Sequence, residues 1–177
     1  MLLTLVLFIF LQHPHNNDFT DSYARDTLVA HYVNNGLKDF PTTFTTFTEL
    51  FGEQGIYYNS GDGCLMWKLY SHPAVNLVLL CRAVLRVSID GVWMADQICG
   101  LQDILHVLSK KNKSLFIAHL GEHTDDEAYS IWRFYFSGLY PDNYQSDYER
   151  LMKDPDYAKY HSIVKKAYIY NLNHPVR

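Results

Sequence analysis

The chain has 177 residues, a net charge of −4 at pH 7, and 14 Tyr and 10 Phe. That length suits one domain with a sizeable core. The acidic balance, with no long Lys/Arg run, argues against a nucleic-acid surface, which needs a basic excess.

Residues 1–11 read MLLTLVLFIFL, apolar except for Thr4. A membrane-crossing helix needs ~20 such residues, so no membrane span is expected. The length fits the apolar part of a secretory signal, although no basic residue precedes it and no small-x-small cleavage site follows. The other reading is a buried first helix. Residues 1–18 are thus a signal-like or remnant first-helix segment and 19–177 the helical domain, secreted or cytoplasmic accordingly.

Asp21-Ser22 predicts the start of a helix to about Asn34, with Leu28, Val29, Tyr32 and Val33 on one side, and Asn35-Gly36 stops it. Pro41 then opens a short helix. In it Phe44, Phe47, Leu50 and Phe51 share one face by helical spacing. Residues 53–63, rich in Gly, Asn, Ser and Asp, read as a loop. Ser71 offers an N-cap ahead of Pro73, and Leu77, Leu80, Cys81, Val84 and Leu85 keep helical spacing. Asp90-Gly91 ends that helix, or turns a hairpin between RVSI and VWM, the α+β alternative near 84–95.

Leu101, Ile104, Leu105 and Leu108 make a further amphipathic helix, with Lys110, Lys111 and Lys113 as its solvated end. Thr124 and Glu127 form a capping box. The helix they open runs through Ile131, Trp132 and Tyr135 to Gly138. Asp154-Pro155 opens the last helix, through Tyr160, Ile163, Val164, Ala167 and Tyr168. The fold class is all-α.

Cys64, Cys81 and Cys99 form no C-x-x-C pair, which leaves one bridge and a spare thiol, or three packed thiols. Their apolar surroundings raise a thiol pKa and give no nucleophile. Asn112-Lys113-Ser114 is an N-glycosylation pattern that matters only after secretion. No phosphate-binding glycine loop and no nucleophile elbow occur, so an enzyme is not expected. One motif remains: His119-Leu-Gly-Glu122-His123 matches H-x-x-E-H, in which a zinc hydrolase holds metal with both histidines and uses the Glu as base. Gly121 weakens the required helix and Thr124 starts a new one.

The stretch Phe40-Pro41-Thr42-Thr43-Phe44-Thr45-Thr46-Phe47 resembles a globin, where a proline starts a short helix and a phenylalanine packs on haem. Tyr70-Ser71-His72-Pro73-Ala74-Val75 resembles the start of that family's distal helix, and Gln102-Asp103-Ile104-Leu105-His106 its proximal helix. The resemblance implies a globin-like bundle of about six to seven helices binding one haem. It implies His106 as iron ligand, Phe47 and Leu50 as pocket wall, Val78 and Leu79 on the distal side, and Leu105 beside the ligand. Asn112 is the other candidate for the proximal position, since helical spacing puts it on the Leu101–Leu105–Leu108 stripe. The expected ligand is a small diatomic gas such as oxygen, or else electrons are shuttled. Two other classes stay open: a haem-free globin-like module working through protein contacts or sensing, and the zinc hydrolase.

Overall fold

The structure, a computed structural model, describes residues 18–52, 55, 65–94, 100–138 and 144–175, with side chains from 26 onward. The apolar run 1–11, nearly all of the 53–63 loop, Cys64 and Cys99 lie outside the described residues. Within them the chain is all-helical. It has nine α-helices there, two more than the upper expectation. In order they are α1 Asp18–Asn34, α2 Phe44–Phe51, α3 Leu65–Ser71, α4 Leu77–Val87, α5 Leu101–Lys111, α6 Lys113–Leu120, α7 Asp125–Tyr135, α8 Gln145–Lys153 and α9 His161–Asn173. A 3-10 turn, Pro155–Tyr160, joins α8 to α9. None of these helices is long and apolar enough to cross a membrane.

The ends of α1 and α2 show how local chemistry sets the path. After Asn34, the Gly36 N–H donates to the Val33 carbonyl and the Leu37 N–H to the Tyr32 carbonyl at 2.8 Å. That pair of bonds is a Schellman stop. Gly36 takes φ +65° as the stop requires, and Leu37 follows at φ +59° to bury its side chain. The threonine run then explains the next helix. Pro41 does not open it: the helix starts at Phe44, because Thr43 is the cap. The Thr43 hydroxyl accepts from the Thr46 N–H at 3.1 Å, and Thr46 answers toward the Thr43 N–H at 3.3 Å. Phe44, Phe47 and Phe51 face inward and Thr45 and Thr46 face water. Each such ring contributes about 1.5–3 kcal/mol by burial.

Two more boundaries differ from expectation. Ser71 ends α3 rather than capping α4. The cap is Asn76, whose Oδ1 accepts from Val78 N–H at 3.0 Å and Leu79 N–H at 3.3 Å. Asn bonds two free amides where Ser71 would have to reach across Pro73. The hairpin alternative near 84–95 also falls among the described residues: Ser88–Asp90 is a turn, and 91–94 is irregular with no strand. Gly91 sits where a Cβ would stand 2.7 Å from the Phe134 ring, so the turn is pressed against α7.

Lys110 and Lys111 do end α5, but Lys113 starts α6 and pairs with Asp154 and Asp156. The Thr124–Glu127 box opens α7 as read: Thr124 N–H donates to Glu127 Oε2 at 2.9 Å and Glu127 N–H to Thr124 Oγ1 at 3.3 Å. That helix ends at Tyr135, short of Gly138. Asp154-Pro155 opens a 3-10 turn, and regular α-helix begins only at His161. Thr124→Ala removes one cap acceptor at an exposed site and is expected to lower the unfolding free energy by about 1 kcal/mol, read as a urea midpoint shift at constant slope.

The core centres on α7, which packs most extensively on α9. Trp132 is fully buried, with Phe116, Tyr135, Phe136 and Tyr157 around it at ring-centroid distances of 4.9–6.2 Å among the Trp132 and Tyr135 pairs. Helices α4, α5 and α6 close one side through Leu80, Val84, Leu105 and Leu108, all buried.

Candidate functional site

The buried polar side chains Gln102, Ser109, Ser137 and Asp147 meet where α5, α7 and α8 come together. Helical spacing puts Gln102, His106 and Ser109 of α5 on one face. That face lies against the C-terminal half of α7. The Gln102 amide donates to the Phe134 carbonyl at 2.6 Å and the Ser137 carbonyl at 2.8 Å. Gln102 thus holds the chain where α7 ends, alongside the Ser137 N–H and hydroxyl that also donate to the Phe134 carbonyl.

Tyr135 is the hub. Its hydroxyl donates to Asp147 Oδ2 at 3.0 Å and accepts from an Arg150 terminal nitrogen at 3.3 Å. The Ser109 hydroxyl lies 3.2 Å from it and 3.0 Å from the His106 carbonyl, so one proton serves either oxygen. Tyr157 donates to the Ser109 carbonyl at 2.8 Å. Lys110 Nζ reaches Asp147 Oδ2 at 2.9 Å. Asp147 is 8 % exposed. Burial opposes its charge, yet the Lys110 ammonium and the Tyr135 hydroxyl outweigh that and hold the carboxyl below the ordinary carboxylate range. Burial, and then the Asp147 charge, push the Tyr135 hydroxyl far up, so it stays a donor.

His106 lies beside this hub. Its Nε2 is 2.8 Å from the Tyr135 carbonyl, which accepts only from N–H, so Nε2 carries the proton. Its ring lies on Tyr135, centroids 4.0 Å apart, with Tyr144 edge-on at 5.3 Å. Burial lowers the His106 pKa, against the pull of the Tyr135 carbonyl and of Asp147. A histidine whose folded pKa lies below its unfolded value of about 6.5 contributes stability that is full above that value. This contribution is lost as pH falls from about 6.5 through the folded pKa. Comparing urea midpoints at pH 7.5 and 5.5 for the native chain and His106→Gln checks this: the native drop is expected to shrink in the variant.

The residues expected around a haem are placed as follows. Phe47 is fully buried between the rings of Phe40 at 6.1 Å and Phe51 at 5.1 Å. Leu50 and Leu79 are half-buried, and Leu79 leans on Gly36 at the end of α1. Leu105 is buried next to His106 in sequence, and Val78 is 41 % exposed. As arranged, this set does not fit a haem. The His106 Nε2 that would meet iron already donates to a backbone carbonyl, and Val78 turns to solvent instead of lining a pocket. Asn112, the other proximal candidate, ends α5 and accepts at Oδ1 from the Tyr70 hydroxyl at 3.2 Å.

The H-x-x-E-H residues do not assemble either. His119 lies in the last turn of α6, while Glu122 and His123 lie beyond its end. His119 Nδ1 is 3.2 Å from Arg82 Nε and 2.9 Å from Glu122 Oε1, and His123 turns toward Glu127 at 3.6 Å. Arg82 and then His119 hold the Glu122 carboxyl below its ordinary range. Among the described residues no three His, Cys, Asp or Glu side chains stand together as a metal group. Cys81 is buried, and desolvation, with Glu122 adding to it, pushes its thiol up to about 12, which leaves it inert.

Sequence reasoning followed the apolar stripe of α5 and missed the polar one beside it. The spacing of Gln102, His106 and Ser109 was the available signal. Asp147 had no local signal, because its partners lie on α5 and α7. No family model, curated protein or solved structure matches the chain.

Proposed function

We infer that this chain is a haem-free, globin-like helical module that acts through protein contacts and carries no reaction of its own. The observation that supports the reading is the state of His106. Its Nε2 proton is spent on the Tyr135 carbonyl and both its neighbours are protein rings. An axial ligand needs an unprotonated nitrogen facing the metal, with the other nitrogen held by a second bond. Here the nitrogen left over is Nδ1, crowded by its own Cβ. The Thr43-capped α2 keeps the buried Phe47 that a globin-like arrangement calls for, but that ring packs on Phe40 and Phe51.

Titrating the purified protein with hemin tests the reading. Absorbance is expected to track free hemin, with no Soret shift, and His106→Ala is expected to change nothing. A stoichiometric Soret band lost in His106→Ala would overturn it and restore the gas-binding reading.

A further inference from the structure

The one N-glycosylation pattern in the chain, Asn112-Lys113-Ser114, lies at a helix break rather than inside a helix. Asn112 closes α5 and precedes α6 with φ −120° and ψ 39°, so its backbone leaves helical geometry at the acceptor residue itself. The side chain is half-buried, and the following Lys113 and Ser114 are half-buried and exposed. The amide is oriented from one end: Oδ1 accepts from the Tyr70 hydroxyl at 3.2 Å. That contact uses the carbonyl oxygen, whereas a glycan is attached through Nδ2. The fold therefore keeps its own contact when one Nδ2 hydrogen is replaced.

The second, independent observation is the apolar run of residues 1–11, whose length matches the core of a secretory signal and falls short of a membrane span. Together these assign a modification. We propose that the chain enters the secretory lumen and carries an N-linked glycan on Asn112. The step joins Asn112 Nδ2 to C1 of the first sugar of a lipid-linked pyrophosphate oligosaccharide. The C1–oxygen bond to pyrophosphate breaks, the lipid pyrophosphate leaves, and the amide gives up one proton. The Ser114 hydroxyl, two residues on, is the group the acceptor pattern requires. Transfer acts on the emerging chain, before α5 and α6 form, and the folded junction then presents the product at the surface. A glycan there also excludes Asn112 from any closed pocket.

Translating the full chain with endoplasmic-reticulum microsomes tests the proposal. The expected product is protected from added protease and migrates more slowly, and peptide N-glycosidase restores its mobility. Asn112→Gln and Ser114→Ala are expected to abolish the slower band, while Ser114→Thr keeps it. A product digested by protease, or one protected but unshifted, overturns the proposal. So does a slower band that persists in Asn112→Gln. Because the readout is electrophoretic, a variant that folds poorly still reports.

Discussion

Trp132→Ala is expected to lower the unfolding free energy by about 3–5 kcal/mol, the range for deleting a large buried aromatic. Trp132 is fully buried and contacts Phe116, Tyr135, Phe136 and Tyr157, which come from three separate stretches of the chain. Those rings cannot collapse into the space together, because Tyr135 and Tyr157 are tied by their hydroxyls to Asp147 and to the Ser109 carbonyl. Trp132→Phe separates ring bulk from the indole N–H. That N–H is buried without a hydrogen-bond partner, and such a donor costs about 1–3 kcal/mol in desolvation. Phenylalanine removes that cost while leaving a smaller void, so its loss is expected to be well under that of alanine. Urea unfolding followed by far-UV circular dichroism measures both. Because neither variant carries the N–H, equal losses would show that the phenyl ring recovers none of the packing around Trp132.

Asp147→Ala is expected to cost about 2–3 kcal/mol, the size of a hydrogen bond to a charged group with its partners left behind. It removes the carboxylate acceptor of the buried Tyr135 hydroxyl, which keeps only Ser109 and Arg150, and leaves Lys110 and Arg150 without their shared anion. Lys110 is 43 % exposed at its side chain, so water recovers part of that ion pair. The loss should be local as well. Only Asp147 and Leu151 of α8 are buried, and Tyr148 stacks on Tyr168 at 4.3 Å. Amide exchange in 145–153 is therefore expected to quicken more than in α7. Asp147→Asn keeps the shape and should lose less. Uniform quickening across the molecule would sink the idea that this carboxylate anchors α8.

Much of the fold was legible because local chemistry wrote it. The Asn35-Gly36 stop, the Thr124–Glu127 box and the apolar stripes of α2, α4 and α5 depend on residues within one or two turns. What was misread depended on choices between neighbours. Thr43 outcompeted Pro41 as a start because a hydroxyl can bond an amide and a pyrrolidine cannot, and Asn76 outcompeted Ser71 because it stands directly before the helix whose amides it bonds. Helices α3, α6 and α8 were missed: α3 follows a polar glycine-rich stretch, α6 looked like the frayed end of α5, and α8 is too polar to show a stripe. The candidate site was legible only as isolated residues. His106 was picked out, but its orientation comes from a carbonyl 29 residues away, and Asp147 acquires meaning only from α5 and α7.

The setting of Trp132 also makes the molecule its own optical probe. An indole sealed from water, with tyrosine rings within energy-transfer range, is expected to emit at the blue end of tryptophan emission, and Trp67 and Trp93 sit nearer the surface. Loosening of the interior around α7 would therefore be seen as a red shift in natural fluorescence, with no dye attached.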